Sequence, residues 1–449
     1  MRPGSGNGLR RRWAVLSEAI ASRLWPIPLA AVIAGVLLGI ALPELDRAVD
    51  ESLPETVTAL LFGGGTEAAR AVLSVIAGSL ITATSLTFSL TVVALQLASS
   101  QASPRLLRMF ASDRMVHATL ALFLGTFAFA LAVLRTVADA DGDPFVPRIA
   151  VTVASVLTLA SVIMLTFFLA HLARLLRVET MLRDVHGETQ RTIRLASETS
   201  HPAADRAPAL AATGARSVLA PRSGFITGVD RTTIIEIAAK HDLVVRELRT
   251  VGSSVIKGGP LLEWWTRAPD ASLDRDTIQQ VDDALADTTR LAYERTPTQD
   301  IGFGLRQLVD IAVRALSPGV NDPTTAVHAL SHVSAILAEI DGLPAEPPAL
   351  ADEHGEPRLV PSRHDFVDLL ELAVEQPRRY GASDPDLAAR LFQLLEELAG
   401  SVQRADRRSA IGAQLERLEA SVARADYDGE ERERFARLGR QVRERLTAL

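Results

Sequence analysis

The feature that most constrains this chain is a long uncharged segment, Ala71 to Ser99, that is dense in serine and threonine. A helix rises about 1.5 Å per residue and the hydrocarbon core of a bilayer is about 30 Å thick, so the segment is long enough to cross a membrane. Hydrocarbon cannot satisfy backbone polar groups, so a span of this kind must be helical. We therefore expect a membrane protein whose most polar span lies at the centre of a helix bundle.

The polar residues of this segment form two stripes when successive residues are placed 100° apart around a helix. One stripe holds Ser74, Gly78, Thr82, Ser85, Ser89 and Gln96, and the opposite stripe holds Thr84, Thr87 and Thr91. A membrane helix with two polar stripes needs two neighbours other than lipid, either protein or water. One hypothesis is that Ser74, Thr82, Ser85, Ser89 and Gln96 line a pore, and the other is that these small residues only let helices pack closely.

Three more apolar runs complete a predicted domain of four spans. They cover residues 25–42, 116–137 and 149–172, and each is close to the length that a bilayer requires. A cleavable signal peptide is the competing interpretation of the first run. It is disfavoured because Pro26 and Pro28 open the run and no small-residue cleavage pattern follows.

The charges between the spans predict how the protein is oriented. Arginines precede the first span, lie between the second and third, and follow the fourth, whereas the other two loops are acidic. The positive-inside rule then places both termini in the cytoplasm. In the second loop, a short helix beginning at Pro104 would bring Arg105 and Arg108 to lipid headgroup phosphates, although these arginines could equally serve only to set the topology.

The composition of the remaining chain limits its chemistry. Residues 179–449 carry 33 basic and 43 acidic side chains, a balance that argues against nucleic acid as a partner. The chain contains no cysteine, which excludes disulfides and thiolate chemistry. It also shows no nucleophile elbow, phosphate loop or dinucleotide fingerprint, so we expect no enzymatic activity and no cofactor.

The most distinctive motif of this part lies between residues 300 and 333. From Leu305 to Leu316 the chain is apolar nearly all round a helix except for a row spaced by four, Arg306, Asp310 and Arg314, so we expect a buried helix with paired charges. A second helix should begin at Asn321 or Asp322, with Pro323 at its first position. One hypothesis is a polar pocket for a small anionic ligand, and the alternative is a charge-satisfied helical hairpin or a subunit interface. The pocket would be formed by Arg306, Asp310, Arg314, Asn321, Asp322 and Thr324.

Two histidines, His328 and His332, share one face of this second helix. Their spacing of four would suit a shared metal ion. No glutamate follows the first histidine as in a zinc protease motif, and no third ligand is evident in the sequence. We therefore predict no metal site.

Three stretches, Val93–Arg114, Leu124–Val137 and Asp300–Ala326, resemble the domain-of-unknown-function 2254 family of predicted bacterial membrane proteins. The resemblance implies a membrane domain followed by a cytoplasmic domain, in the bacterial inner membrane, and it implies no activity. A local resemblance to biotinyl and lipoyl carrier barrels, in the glycine-punctuated strands of residues 218–268, implies a small β-barrel-like segment. Lys240 falls in a helix-like run there, so we expect no attached cofactor.

The predicted fold is a polytopic α-helical membrane protein with four transmembrane helices, followed by a cytoplasmic α+β domain. Its parts are a basic N-terminus (1–24), the transmembrane domain (25–173), a helical extension of the fourth span with a linker (174–217), the β-rich segment (218–268), a helical domain (269–400) and a charged helical hairpin (401–449). We expect a homo-oligomeric, channel-like or transport-related protein with a cytoplasmic sensing or assembly domain. The alternative is a non-conducting, membrane-tethered signalling or scaffolding protein.

Overall fold

The structure is a computed structural model, and its chain divides into two compact units, Met1–Thr180 and Met181–Leu449. It describes residues 25–49, 61–101, 113–139, 144–175, 177–198, 202, 204, 208, 215–268, 273–343 and 348–448. The predictions about Arg105 and Arg108, and about the basic N-terminus, lie outside these residues.

The first unit contains four long helices, as the sequence predicts. They are α1 (Pro26–Val49), α2 (Thr66–Gln101), α3 (Arg114–Leu134) and α4 (Arg148–Leu175). A two-stranded antiparallel ribbon, β1 (Ala138–Asp139) and β2 (Pro144–Phe145), lies between α3 and α4. All four helices are long and apolar enough to cross a membrane.

Small residues let α1 and α3 approach closely. A Cβ added to Gly35 would collide with the backbone carbonyl of Gly125, and one added to Gly39 would lie 2.5 Å from the Cβ of Ala132. Without a hydrophobic driving force in lipid, membrane helices associate through such close backbone packing. These glycines therefore permit the close contact between α1 and α3.

Carboxylates fix both ends of the bundle. The buried Asp46 of α1 accepts hydrogen bonds from the amides of Ile149 and Ala150, both at 3.0 Å, and so caps α4. Asp113 caps α3 and also lies 2.9 Å from Nε2 of His171 on α4. Each carboxylate thus satisfies amides that the first turn of a helix leaves unpaired.

The predicted continuous extension of the fourth span is wrong. Helix α4 ends at Leu175, Arg177 is not helical, and a separate helix, α5 (Val178–Glu198), follows. Beyond its first turn, α5 buries Leu182, Val185 and Ile193 within the second unit. The packing of this apolar face fixes where α5 lies. The partly helical spacing in the sequence indicates a helix but cannot specify what the helix packs against.

The predicted barrel-like segment is also wrong, because the strands form two open sheets. The strands are β3 (Arg216–Leu219), β4 (Gly224–Val229), β5 (Leu243–Glu247), β6 (Ser254–Val255), β7 (Pro260–Thr266), β8 (Thr289–Ala292), β9 (Leu350–Ala351) and β10 (Pro357–Val360). One sheet has the order β3-β7-β5-β10-β9 and the other β6-β4-β8. Within the described strands only β5 and β10 pair in parallel. Strands β8, β9 and β10 come from beyond residue 268. Of these, β8 pairs with β4 and β10 pairs with β5, so strands from outside the segment take places that a closed barrel would fill with strands of its own.

A short helix, α6 (Arg231–Lys240), connects β4 to β5 and confirms the helical environment expected for Lys240. Its Ile234 and Ala238 pack into a core with Leu243, Leu261 and Trp264 of the five-stranded sheet. Helix α7 (Arg275–Asp287) adds Val281 and Leu285 to the same core. The sheets therefore form one folded body with these two helices.

The rest of the second unit is helical. After a short 3₁₀ turn (Pro297–Gln299) come α8 (Ile301–Ala315), α9 (Pro323–Asp341), α10 (Phe366–Gly381), α11 (Pro385–Ser401), α12 (Ala405–Ala423) and α13 (Gly429–Thr447). Asp322 caps α9, with Pro323 at its first position, as one of the two predicted caps. Helices α12 and α13 form the predicted charged hairpin, which packs on α11 through the stacked rings of Phe392 and Phe435.

Candidate functional site

The structure places the two polar stripes of α2 in different environments. Thr84, Thr87 and Thr91 are buried inside the first unit. The residues of the other stripe are exposed on its outer face, and we call them the outer stripe: Ser74, Gly78, Thr82, Ser85, Ser89 and Gln96. One of the two neighbours that the sequence requires is therefore the chain's own bundle, and the outer stripe lies against no part of the described bundle.

Two observations characterise the outer stripe. The hydroxyl of Thr82 donates to the carbonyl of Gly78 and that of Ser85 donates to the carbonyl of Ile81, both at 2.9 Å, so these donors are satisfied within the helix. Their oxygens still present lone pairs outward. A Cβ on Gly78 would meet no described atom within 4 Å, in contrast to the packed glycines of α1 and α3. The outer stripe is thus polar, narrow in profile and open.

A second candidate site surrounds Asp300, the first residue of the distinctive motif. Its carboxylate accepts from the amide of Phe303 at 2.9 Å, which caps α8, and both its oxygens accept from Arg295 at 2.9 Å. Burial raises the pKa of Asp300, and the nearby charges of Arg295 and His364 oppose that rise. Gly252, with a φ of 92°, lies so close to this carboxylate that a Cβ would collide with it. The close approach therefore requires glycine.

A neighbouring ion pair anchors the segment that follows β10. Glu247 of β5 accepts two hydrogen bonds from Arg231, at 2.7 and 2.9 Å, and one from the amide of Ser362 at 2.9 Å. Two residues later, His364 lies beside Gly302 and Asp300, and its buried Nε2 has no hydrogen-bond partner among the described residues. This network connects the five-stranded sheet to the start of α8. Because its charged groups neutralise one another, we assign it the role of positioning these elements.

The structure places the residues of the predicted anionic-ligand pocket along the edge of α8 and at the start of α9. Arg306 and Asp310 are half-buried and Arg314 is exposed, so the row lies at the edge of a buried helix rather than inside it. Asn321 and Thr324 are exposed. The Asp322 carboxylate accepts from the amide of Thr325 at 3.0 Å and from its hydroxyl at 2.6 Å. It therefore occupies the helix terminus that an anion would use.

The two motif histidines have different surroundings. His328 is exposed, whereas the half-buried ring of His332 lies 4.9 Å, centroid to centroid, from that of His186 on α5. Burial lowers the pKa of His332, and the neighbouring His186 and His328 lower it further. No group of three His, Asp or Glu side chains within the described ranges is placed to hold a metal. Sequence spacing could not reveal His186, because it comes from a distant helix.

Comparison with known proteins places the chain among its relatives. Residues 21–397 match the family described as "Predicted membrane protein (DUF2254)". The chain belongs to this family. An uncharacterized protein of Mycobacterium tuberculosis H37Rv and one of Mycobacterium bovis are each 34% identical to it over 420 residues, which cover 91% of this chain and 77% of each relative. No solved structure matches. The family and the four apolar helices together indicate a membrane protein, and the resemblance seen in the sequence is confirmed.

Proposed function

We propose that the protein is an oligomeric, channel-like or transport-related membrane protein in which the outer stripe of α2, from several copies, lines a polar path. The observation that supports this is the exposure of the stripe's hydroxyl and amide groups on a helix whose other polar stripe is already packed. Hydrocarbon is a poor neighbour for these groups, so water or a second copy is favoured there.

The chemistry of the stripe limits what would pass. Ser85, Ser89 and Gln96 offer hydroxyl and amide oxygens that replace part of the hydration shell of an ion. No residue of the outer stripe is ionisable, so a proton relay through it is disfavoured. In this proposal the open surface over Gly78 lets helices from neighbouring copies approach closely.

The second unit serves in this proposal as a cytoplasmic sensing or assembly domain, without catalysis or cofactor. The arginines before the first span and the acidic loops favour a protein of the bacterial inner membrane with both termini in the cytoplasm. Its partners would be the lipid bilayer and further copies of itself. The acidic balance of residues 179–449 disfavours nucleic acid.

A second function is favoured by the hydrogen bonds of Thr82 and Ser85. Because both hydroxyls donate within their own helix, the stripe could pack dry against another copy without enclosing water. The protein would then be a non-conducting, membrane-tethered signalling or scaffolding protein. The two functions share the interface between copies and differ in whether it contains a water path.

The absence of cysteine makes a decisive experiment direct, because single cysteines can be introduced without removing others. The variants are Ser85→Cys on the outer stripe and Leu86→Cys, which is 53% exposed on the neighbouring apolar surface. Each is reconstituted in liposomes, assayed for ion flux under voltage, a pH gradient and tension, and treated with a charged thiol reagent. We expect flux from the unmodified chain and its loss on modification of Ser85→Cys, with Leu86→Cys unaffected.

Two leucine substitutions refine the result. Ser85→Leu should block flux by placing an apolar ring in the path while the helix stays apolar enough to insert. Thr87→Leu changes a buried residue and should disturb packing or assembly instead. A chain with no flux under any of the three conditions, or with both variants alike, contradicts the pore. Disulfide cross-linking of Ser85→Cys between copies that do not conduct would support the scaffold.

A further inference from the structure

A pair of arginines in the helical part of the second unit converges on a neutral oxygen. Nη1 of Arg378, in the last turn of α10, donates to the hydroxyl of Ser421 on α12 at 2.8 Å. Nη2 of Arg424, at the C-terminal end of α12, donates to the same hydroxyl at 3.3 Å. The Ser421 hydroxyl uses its own hydrogen for the carbonyl of Arg417, at 2.9 Å. Two cations therefore share one uncharged acceptor.

This arrangement differs from that of five other shielded arginines of the second unit, each of which is paired with a carboxylate. These pairs are Arg231–Glu247, Arg295–Asp300, Arg358–Asp352, Arg390–Glu397 and Arg407–Asp341. For Arg378 and Arg424, no carboxylate of the described chain lies within 4.0 Å. A partly desolvated guanidinium without a counter-charge is unfavourable, so an anion at this point would stabilise the fold.

The surrounding charges do not neutralise the pair. Two acids of α10 are paired with other arginines, since Glu371 binds Arg417 at 3.0 Å and Glu375 lies 3.6 Å from Arg379. Burial lowers the pKa of Arg378, and the positive charges of Arg417, Arg424 and Arg379 lower it further against the opposing charge of Glu375. The Nε atom of Arg378 is buried and has no hydrogen-bond partner within the described structure. The local field is positive in a region of the chain where acids outnumber bases.

We propose that Arg378, Arg424 and Ser421 form a binding site for a phosphate group. A tetrahedral phosphate accepts paired hydrogen bonds from guanidinium groups, and its charge supplies what the cluster lacks. The half-buried Arg378 gives the site a fixed donor, while the exposed Arg424 leaves it open to solvent. The phosphate could belong to a soluble phosphate compound or to a lipid headgroup, and the experiment distinguishes these two sources.

The test uses the full-length chain purified in a neutral detergent. Its thermal unfolding is followed while inorganic phosphate is titrated against chloride at constant ionic strength. In a second arm, the protein is placed in phosphatidylcholine nanodiscs with increasing phosphatidic acid. We expect the phosphate titration or the lipid titration to raise the unfolding temperature saturably. Saturation by phosphate alone identifies a soluble ligand, and an effect of phosphatidic acid alone identifies a headgroup.

Four substitutions make the result specific. Arg378→Gln should weaken the phosphate effect at least tenfold, whereas Arg440→Gln, at an exposed position on α13, should leave it unchanged. Ser421→Asp places a carboxylate between the two guanidiniums. This variant should have a higher unfolding temperature without phosphate, and phosphate should no longer raise it. Ser409→Asp, exposed on the same helix, should change neither the unfolding temperature nor the effect of phosphate. No saturable effect in either arm, or an unchanged response in Arg378→Gln, overturns the proposal.

Discussion

Asp300 shows how much one side chain can determine. It caps α8, pairs with Arg295 and accommodates the close approach of Gly252. We predict that Asp300→Ala lowers the free energy of unfolding of the second unit by about 3–5 kcal/mol, because it leaves a shielded guanidinium without its partner and α8 without its cap. Urea unfolding, followed by the fluorescence of Trp264 and Trp265, measures the loss.

Asp310→Ala is the matched control for this prediction. Asp310 is half-buried in a row that ends at the exposed Arg314, where solvent screens charge interactions, so the loss should be about 1 kcal/mol or less. The sequence pattern alone favours a buried row and therefore a large effect at Asp310. Similar losses for Asp300→Ala and Asp310→Ala would contradict the distinction that the structure makes between them.

The His186–His332 contact predicts a pH dependence. The folded state lowers the pKa of His332 below its ordinary value of 6.5, so between these two pKa values the unfolded chain binds more protons. The stability that this shift contributes is therefore fully present above pH 6.5, and it is lost as the pH falls through the folded-state pKa of His332. Comparing urea midpoints at pH 8 and pH 5.5 should show a smaller loss in His332→Gln than in the unsubstituted chain. His354→Gln, at an exposed position, should retain the full loss.

Some features of the candidate sites in the second unit could be predicted from the local spacing of residues in the sequence. The spacing predicts a cap at Asn321 or Asp322, of which Asp322 is the observed one, and it puts His328 and His332 on one face, because both features depend on residues a few positions apart. It did not identify His186 or the Arg231–Glu247 pair, whose partners meet only after the chain has folded. Asp300 was missed although an Asp directly before an apolar helix is a recognisable cap signal.

At the scale of elements, helices were predictable and sheets were not. The four spans follow from uninterrupted apolar runs, which a bilayer permits only as helices. Strands β8, β9 and β10 are two to four residues long, too short to show an alternating pattern, and their partners are distant in sequence. The sequence therefore predicts a small β-barrel-like segment that ends at residue 268, whereas β4 and β5 each pair with a strand from beyond that residue.

The packing of α5 against α8 gives an element-scale prediction. A Cβ added to Gly304 of α8 would overlap the Thr189 side chain of α5, with the Thr189 Cβ only 3.0 Å away. We expect Gly304→Ala to destabilise the second unit by about 1–3 kcal/mol through overpacking. Gly187→Ala on α5, where no described atom lies within 4 Å, should be neutral or stabilising by up to about 1 kcal/mol. Thermal unfolding of both variants measures the difference, and a neutral Gly304→Ala would rule out this close contact.

At the scale of the whole molecule, the charge distribution predicts the topology. Arginine-rich flanks and acidic loops favour cytoplasmic termini, with residues 43–70 and 138–148 on the opposite side. Reporter fusions after Glu55 and after Ser200 should therefore report opposite compartments. Fusions that report the same compartment would contradict a chain with four spans and this orientation.

The parallel pairing of β5 with β10 has a consequence for how the protein is made. Arg358 and the Leu243 carbonyl that it contacts are 115 residues apart in the sequence. During synthesis β10 therefore emerges from the ribosome much later than β5, the strand with which it pairs. Until then the side of Leu243–Glu247 that faces away from β7 is an unpaired strand edge, the kind of surface on which nascent chains aggregate. Premature termination between these strands would leave that edge permanently open, and chaperones should be needed most during this interval.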